Sequence, residues 1–392
     1  MLRNFALLLF LVTCSIVPAA RGQVLAASAA ETRERILNQY LSLHPIVKWD
    51  CDWTTAIFVY GAASSSRVAP NKPGEKSDLS LLRAGLKGAS LRSPREITSP
   101  DLAALSLPAI VLLDRMTPTE PASDHAQLQA IIAATKTYFK TEPLNAGGVF
   151  DHVGYRHRFK DWLPPTQWLM PSSVWADSAV MYGLNGYLIA KSEKSAADQD
   201  FFTEQLMRIH KILWNEADHL YKHAYFFDSK TFAPANSFWA RGNTWMALAH
   251  LEMLSKMSPQ ESHYAELRSN LQLHVDALTS QLDHERGLKT LLSSDLSSNY
   301  YESSASALLA FVMMKGARLG LLRPELRAEG EALARALSTR YLKDTGNDRI
   351  SVTNISCPTT ATTIDRYYVN VVGLCPDESY GVGIFLMMLG EL

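Results

Sequence analysis

The sequence predicts an all-α protein folded as an (α/α)6 barrel, a closed ring of six helical hairpins. Three observations lead there. Apolar residues recur at helical spacing through most of the 392 residues, and strand-like alternation is sparse. Successive helical segments show no shift in composition that would mark a linker. The connections carry Pro, Gly, Ser and Asn, as in Pro70 to Gly74, Ser93 to Pro100 and Lys343 to Asn347. Two stacked helical domains or an α-solenoid would give a similar helix count, although no repeat in the sequence marks a solenoid.

The first segment, residues 1–22, reads as an export signal. Arg3 supplies the positive start, Phe5 to Ala20 is almost wholly apolar, and Arg21 ends the run. The run is too short and lopsided for a membrane span, and no later segment is suited to one. Cleavage could fall at Ala20-Arg21-Gly22 or Ala27-Ser28-Ala29, and Leu11-Val12-Thr13-Cys14 is a weak match to a lipoprotein attachment box. The expectation is a secreted or periplasmic monomer with one domain over 23–392.

Periodicity then predicts helices over 31–44, 52–66, 77–87, 101–116, 124–140, 174–192, 198–214, 239–256, 260–283, 301–319, 323–342 and 379–391. Asp101 follows Pro100 and reads as an N-cap, and Pro108 should kink or shorten its helix. Trp175-Ala176-Asp177 opens the segment 174–192. Asp177 falls on the stripe Val174, Met181, Leu184 and Leu188, so it is expected on the apolar face with a raised pKa. Its structural alternative is an ordinary first-turn acid favoured by the helix dipole.

In Phe238-Trp239-Ala240-Arg241-Gly242-Asn243-Thr244-Trp245, Arg241 and Trp245 share a helical face. A guanidinium beside indoles can grip a carboxylate and stack on a sugar. Alternatively, this is a core helix whose arginine pairs with a buried acid. Glu302-Ser303-Ser304-Ala305-Ser306 opens a further helix, with close packing of small residues as its simplest explanation. Three long connections, 145–173, 220–238 and 350–375, hold His152, His157, Trp162, Trp168 and His223 among many aromatics. Long ordered loops usually carry function, although a lone loop histidine is more often structural.

Lys and Arg total 38 against 39 Asp and Glu, which argues against a nucleic-acid surface. No Cys or His spacing suits a metal, and no cofactor is expected. Past the signal stand Cys51, Cys357 and Cys375. The last two close a short loop and are the expected disulfide, with Cys51 left out or pairing in place of one of them. Asn354-Ile355-Ser356 is a glycosylation sequon.

Taken in order, several segments resemble the unsaturated rhamnogalacturonyl hydrolases of glycoside hydrolase family 105. They are Gly147-Gly148-Val149-Phe150-Asp151-His152, Trp175-Ala176-Asp177, Leu220-Tyr221-Lys222-His223-Ala224-Tyr225 and Trp239-Ala240-Arg241-Gly242-Asn243-Thr244-Trp245. Tyr301-Glu302-Ser303-Ser304-Ala305-Ser306-Ala307 and Tyr380-Gly381-Val382-Gly383-Ile384-Phe385-Leu386 complete the set. The resemblance runs from about residue 45 to the C-terminus. It implies an (α/α)6 barrel and removal of a 4,5-unsaturated uronic acid from lyase-generated oligosaccharides of the pectin type. In that chemistry an aspartic acid protonates the C4=C5 enol ether and water adds at C5. The resemblance casts Asp177 as the catalytic acid that carries the proton, Asp101 as the second active-site aspartate, and His152, Trp175, His223, Arg241 and Trp245 as substrate contacts, with Arg241 on the uronate carboxylate. Two other functions compete: an (α/α)6 exo-glycosidase on saturated sugars, such as a uronidase or mannanase, and a non-catalytic saccharide-binding protein.

Overall fold

A computed structural model describes residues 28–65, 78–91, 97, 99–117, 120–154 and 171–392. The signal segment 1–22, the turn Pro70 to Gly74, most of Ser93 to Pro100, and His157, Trp162 and Trp168 lie outside the described residues.

The helices are α1 Ala29–Leu43, α2 Trp53–Ser65, α3 Asp78–Leu91, α4 Pro100–Ala103, α5 Ser106–Asp114 and α6 Ala122–Thr141. They continue with α7 Asn185–Ser192, α8 Ala196–Leu213, α9 Ala240–Leu254, α10 Tyr264–Ser280, α11 Ser303–Arg318, α12 Glu325–Tyr341, α13 Asp365–Asn370 and α14 Ser379–Glu391. Six of them form an inner ring: α2 packs on α5, α5 on α7, the α7 region on α9, α9 on α11, α11 on α14, and α14 back on α2. An outer helix backs each one, with α1 on α14, α3 on α2, α6 on α5, α8 on α7, α10 on α9 and α12 on α11. This is the (α/α)6 barrel.

Sequence explains the two layers. Outer helices bury one stripe each, as in α12, where Leu326, Leu333, Ala334 and Leu337 face inward. Inner helices are enclosed on all sides: every residue of α9 is buried, as is Ser379 to Leu389 of α14. Ring closure depends on two glycines. A β-carbon on Gly61 of α2 would lie 2.1 Å from the Gly383 carbonyl oxygen, and one on Gly383 of α14 would lie 2.6 Å from that of Ile57. The first and last inner helices thus meet backbone to backbone, which side chains would forbid.

Two predicted helices and one predicted cap differ. The segment expected as one helix over 174–192 begins as a strand, Ser173–Trp175, turns at Ala176 and Asp177, and continues as a π-helix, Ala179–Leu184, before α7. Val174 therefore belongs to a sheet and not to a helical stripe. The helix expected over 101–116 splits into α4 and α5. Pro108 has no N–H to give Ala104, and its ring would crowd that carbonyl. The N-cap there is Ser99, with no side-chain hydrogen bond, and Asp101 sits inside the first turn.

The loops at one mouth are tied by short sheets. Ser173–Trp175, Ala224–Phe226 and Thr231–Ala233 form an antiparallel sheet, and Phe238–Trp239 pairs with Leu291–Leu292. A disulfide joins Cys357 to Cys375, as expected, and leaves Cys51 outside the bridge. No helix among the described residues is long and apolar enough to cross a membrane.

Three buried or half-buried histidines lie where α8, α9 and α10 meet. His250 Nδ1 contacts the Met246 carbonyl at 2.8 Å, His274 Nε2 contacts Asn243 at 3.1 Å, and His210 Nδ1 contacts the Tyr221 hydroxyl at 2.8 Å. Burial holds His250 down at about 3 and pushes His210 and His274 down as well. A depressed histidine stabilises the fold fully above its unfolded pKa of about 6.5. That stability is lost as pH falls, because the unfolded chain takes the proton first. His250 alone is therefore expected to cost about 2 kcal/mol on going from pH 7 to pH 5. Urea denaturation at the two pH values checks this, and His250→Leu should shrink the difference. An equal pH response in both proteins would exclude His250 as its source.

Candidate active site

The inner helices bring charged residues to a single mouth. Asp52 caps α2, accepting from Thr54 N–H at 3.0 Å and Thr55 N–H at 3.1 Å. Asp101 lies in the first turn of α4, and Asp177 lies in the turn before the π-helix. Arg241 is the second residue of α9, while Glu302 and Glu378 are the N-caps of α11 and α14. Helix N-termini favour anions, which helps five carboxylates gather here beside a single arginine.

The Asp177 corner is built by the three-stranded sheet. Trp175 pairs with Ala224, and the Ala176 N–H donates to the His223 carbonyl at 2.7 Å. His152 joins the same edge through its N–H to the Ser173 carbonyl at 2.9 Å. The His152 ring stacks on Trp175 at 4.2 Å, and its Nδ1 lies 3.1 Å from Ser178 Oγ. His223 meets the edge of Trp175 at 5.1 Å and lies against Trp239 at 4.0 Å. Its Nδ1 is 2.8 Å from the Tyr368 hydroxyl, and its Nε2 is 3.3 Å from Asp177 Oδ2. That last contact is electrostatic more than a well-aligned hydrogen bond. The Asp177 side chain keeps 14% of its surface exposed, while His223 has none.

The charge states reverse the expectation. Burial pushes Asp177 up, but the His223 contact, with help from His152 and Arg241, outweighs it and holds the carboxyl below the usual range. Asp101 is instead the raised group, pushed up to about 7 by burial and by the charges of Asp177 and Asp52. Of this pair, Asp177 is a carboxylate and Asp101 holds a proton near neutral pH, the separation that acid–base work requires. Burial lowers both His223 and His152, the latter to about 4, so both rings are neutral.

Arg241 and Trp245 occupy places that the sequence left open between two readings. Trp245 is fully buried. Arg241 is also buried, sandwiched by Trp239 at 4.6 Å and Tyr380 at 4.8 Å. Its terminal nitrogens donate to the Ser356 carbonyl at 3.1 Å, Ser356 Oγ at 2.7 Å, the Cys357 carbonyl at 3.1 Å and Thr359 Oγ1 at 3.0 Å. Glu302 lies 3.7 Å away and accepts the Ser356 N–H at 3.0 Å. All four terminal N–H groups are engaged, so none is left for the expected two-pronged grip on a uronate. Trp245 likewise presents no face to a sugar. Arg241 is the arginine of a buried pair, and Glu302 is its acid. Ser356, of the glycosylation sequon, is enclosed by this pair.

Beside Trp175 opens a cavity of about 440 Å³, lined by Val153, Ser173, Trp175, Phe226, Thr231 and Thr360 to Thr363 among others. Hydroxyls around an indole suit the alternating polar and apolar surface of a saccharide. Sequence reasoning missed Tyr368, Asp52 and Glu378. The acids that directly precede α2 and α14 were the available signal for the last two.

A barrel of helical hairpins with an acid–carboxylate pair and an aromatic, hydroxyl-lined cleft at one mouth defines a carbohydrate-active hydrolase. The family model of Glycosyl Hydrolase Family 88 matches residues 30–392, and the chain belongs to that family; it is a glycoside hydrolase. Among solved structures, a family 105 glycoside hydrolase of C. acetobutylicum ATCC 824 superposes with a TM-score of 0.78 at 17% identity, covering 92% of this chain and 99% of that one. The unsaturated glucuronyl hydrolase of Bacillus sp. GL1 gives 0.66 at 14% identity, covering 94% and 95%. At these identities the likeness establishes the fold. Protein Atu3128 of Agrobacterium fabrum is 38% identical over 112 residues, 27% of this chain and 48% of that protein, so the match spans about half that relative's length.

Arg241→Lys keeps the charge but cannot reach four acceptors in a planar fork. Each lost hydrogen bond is worth about 1 kcal/mol, so a stability loss of about 2–4 kcal/mol is expected, together with faster amide exchange over 356–363. Denaturant titration and hydrogen–deuterium exchange check this. Unchanged exchange in that segment would remove Arg241 as its anchor.

Proposed function

We propose that this hydrolase removes a 4,5-unsaturated uronic acid from the non-reducing end of lyase-generated oligosaccharides of the pectin or rhamnogalacturonan type. The observation that carries the reading is the pair Asp101 and Asp177, one holding a proton near neutral pH and the other ionised beside neutral His223. Family membership supports it, as does the likeness to a structure named for unsaturated glucuronyl hydrolysis.

The chemistry needs both states. The C4=C5 enol ether takes a proton at C4, leaving positive charge shared between C5 and the ring oxygen. Water then adds at C5 and gives up a proton to a carboxylate. The resulting hemiketal opens, and the C1–O bond to the neighbouring saccharide breaks, giving a keto-sugar acid and a shortened oligosaccharide. Asp101 supplies the proton and Asp177 receives the one from water. A neutral His223 donor steadies the Asp177 charge. Trp175 offers the sugar an apolar face. The signal-like segment 1–22 supports action outside the cytoplasm, with 23–392 as the working domain.

Loss of ultraviolet absorbance of the conjugated double bond measures the reaction. Asp101→Asn and Asp177→Asn are each expected to fold and to lose activity by a factor on the order of 10² or more, as for a lost general acid or base. In heavy water, deuterium is expected at C4 of the product. Wild-type activity should fall as pH rises through about 7, where Asp101 loses its proton. Near-normal turnover by Asp101→Asn would return the proton to Asp177. Cleavage of saturated glycosides with no loss of absorbance would replace hydration by ordinary glycoside hydrolysis, and binding without turnover would leave a saccharide-binding protein.

A further inference from the structure

We infer that Tyr368 is a positioning residue: carried inward on the disulfide-closed segment 357–375, its hydroxyl fixes which nitrogen of His223 bears the proton and aims Nε2–H at Asp177. The inference rests on the reading of Asp177 as a catalytic carboxylate. Tyr368 itself lies one side chain away from that group.

Tyr368 sits on α13 and is fully buried. Its oxygen lies 2.8 Å from His223 Nδ1 and accepts the Thr362 N–H at 3.2 Å. The Thr362 carbonyl, a rival acceptor for the hydroxyl, is farther away at 3.4 Å. Proton bookkeeping settles the direction. An ionised Asp177 only accepts, and across the 3.3 Å electrostatic contact an Nε2 that carries the proton is favoured over one that turns a lone pair to the carboxylate. Burial keeps the ring neutral, with a single N–H, so Nδ1 is the acceptor and Tyr368 the donor. Burial also pushes the Tyr368 hydroxyl up, and it keeps its proton at every relevant pH. The opposite tautomer would turn a nitrogen lone pair toward the Asp177 carboxylate and lose the donor that holds its charge.

The placement of this hydroxyl is a tertiary achievement. Helix α13 spans Asp365–Asn370 and is too short to fix itself. Its segment is closed by the Cys357–Cys375 disulfide and by two backbone bonds, Cys357 N–H to the Gly373 carbonyl at 2.9 Å and Cys375 N–H to the Ile355 carbonyl at 2.8 Å. Arg241 grips its first residues from beneath. On the far side, Ser237 Oγ donates to Asp365 at 2.6 Å. These ties hold the tyrosine hydroxyl against His223 Nδ1.

The test uses the full chain with Tyr368→Phe, which keeps the ring and removes the donor. The side-chain nitrogen resonances of His223, assigned with His223→Gln, are expected to report one Nε2–H tautomer in the wild type and a mixture in the variant. With unsaturated uronide as substrate, kcat should fall about 10- to 100-fold, as for other outer partners of a working histidine, while KM holds. The acid limb of the pH profile should move up, because Asp177 loses part of the donor that lowers it. A single unchanged tautomer with an unchanged pH profile would overturn the proposal. If Tyr368→Phe does not fold, 3-fluorotyrosine at position 368 keeps the shape with a more acidic hydroxyl. It should shift the His223 Nδ1 resonance, and a resonance that stays put also overturns the proposal. A wild-type protein inert toward unsaturated uronides would remove the functional reading, while the nitrogen resonances would still decide the tautomer.

Discussion

A buried ion pair, Arg241 with Glu302, is the joint on which the working end of this barrel depends. Neither side chain has exposed surface, and together they enclose Ser356 on both its donor and acceptor sides. Such a pair is expensive to desolvate and adds little net stability against an apolar pair of equal size. Its value lies in specificity. It ties the starts of two neighbouring inner helices, α9 and α11, to one point of a long loop, and removing either member would leave a charge stranded. From that point the segment 357–375 is laid across the mouth, bringing Tyr368 to His223 and Thr360 to Thr363 to the cleft beside Trp175.

The active-site charges then follow from distance and dielectric. Asp177 has the imidazole of His223 beside it, and Asp101 has only the negative charges of Asp177 and Asp52. Both aspartates are buried, but Asp177 has the His223 ring and the more distant Arg241 to hold its charge, whereas Asp101 faces only negative charge. Two identical side chains a few helices apart are therefore driven to opposite protonation states, with the helix N-termini moderating the repulsion.

The helical architecture was legible because twelve segments carry the 3.6-residue period, and the observed ends of α2, α11 and α14 fall within a residue or two of their expected places. The site was legible in its members and illegible in their roles. Val174 continues the apolar stripe of the following helix, yet it sits in a strand, since a short apolar run has no period of its own. The raised pKa expected at Asp177 came from burial alone. The partner that reverses it, His223, is distant in sequence. Arg241 could be read as a clamp or as a core residue until Glu302, itself far along the chain, was placed beside it. Roles of this kind are properties of pairs, and a single sequence displays its pairs only once folded.

The glycine contact between α2 and α14 has a consequence for how such a chain is made. Those helices are far apart along the chain, so the contact that closes the ring has a large chain separation to overcome. A growing polypeptide can stack its hairpins as they emerge, but it forms an open arc until α14 has been synthesised. Both flanks of that arc expose the apolar sides of inner helices, surfaces prone to self-association. Loss of α14 would yield no smaller barrel. It would leave an unclosed arc whose first and last hairpins each lack a neighbour, so the ring assembles as a whole or remains a substrate for chaperones and proteases.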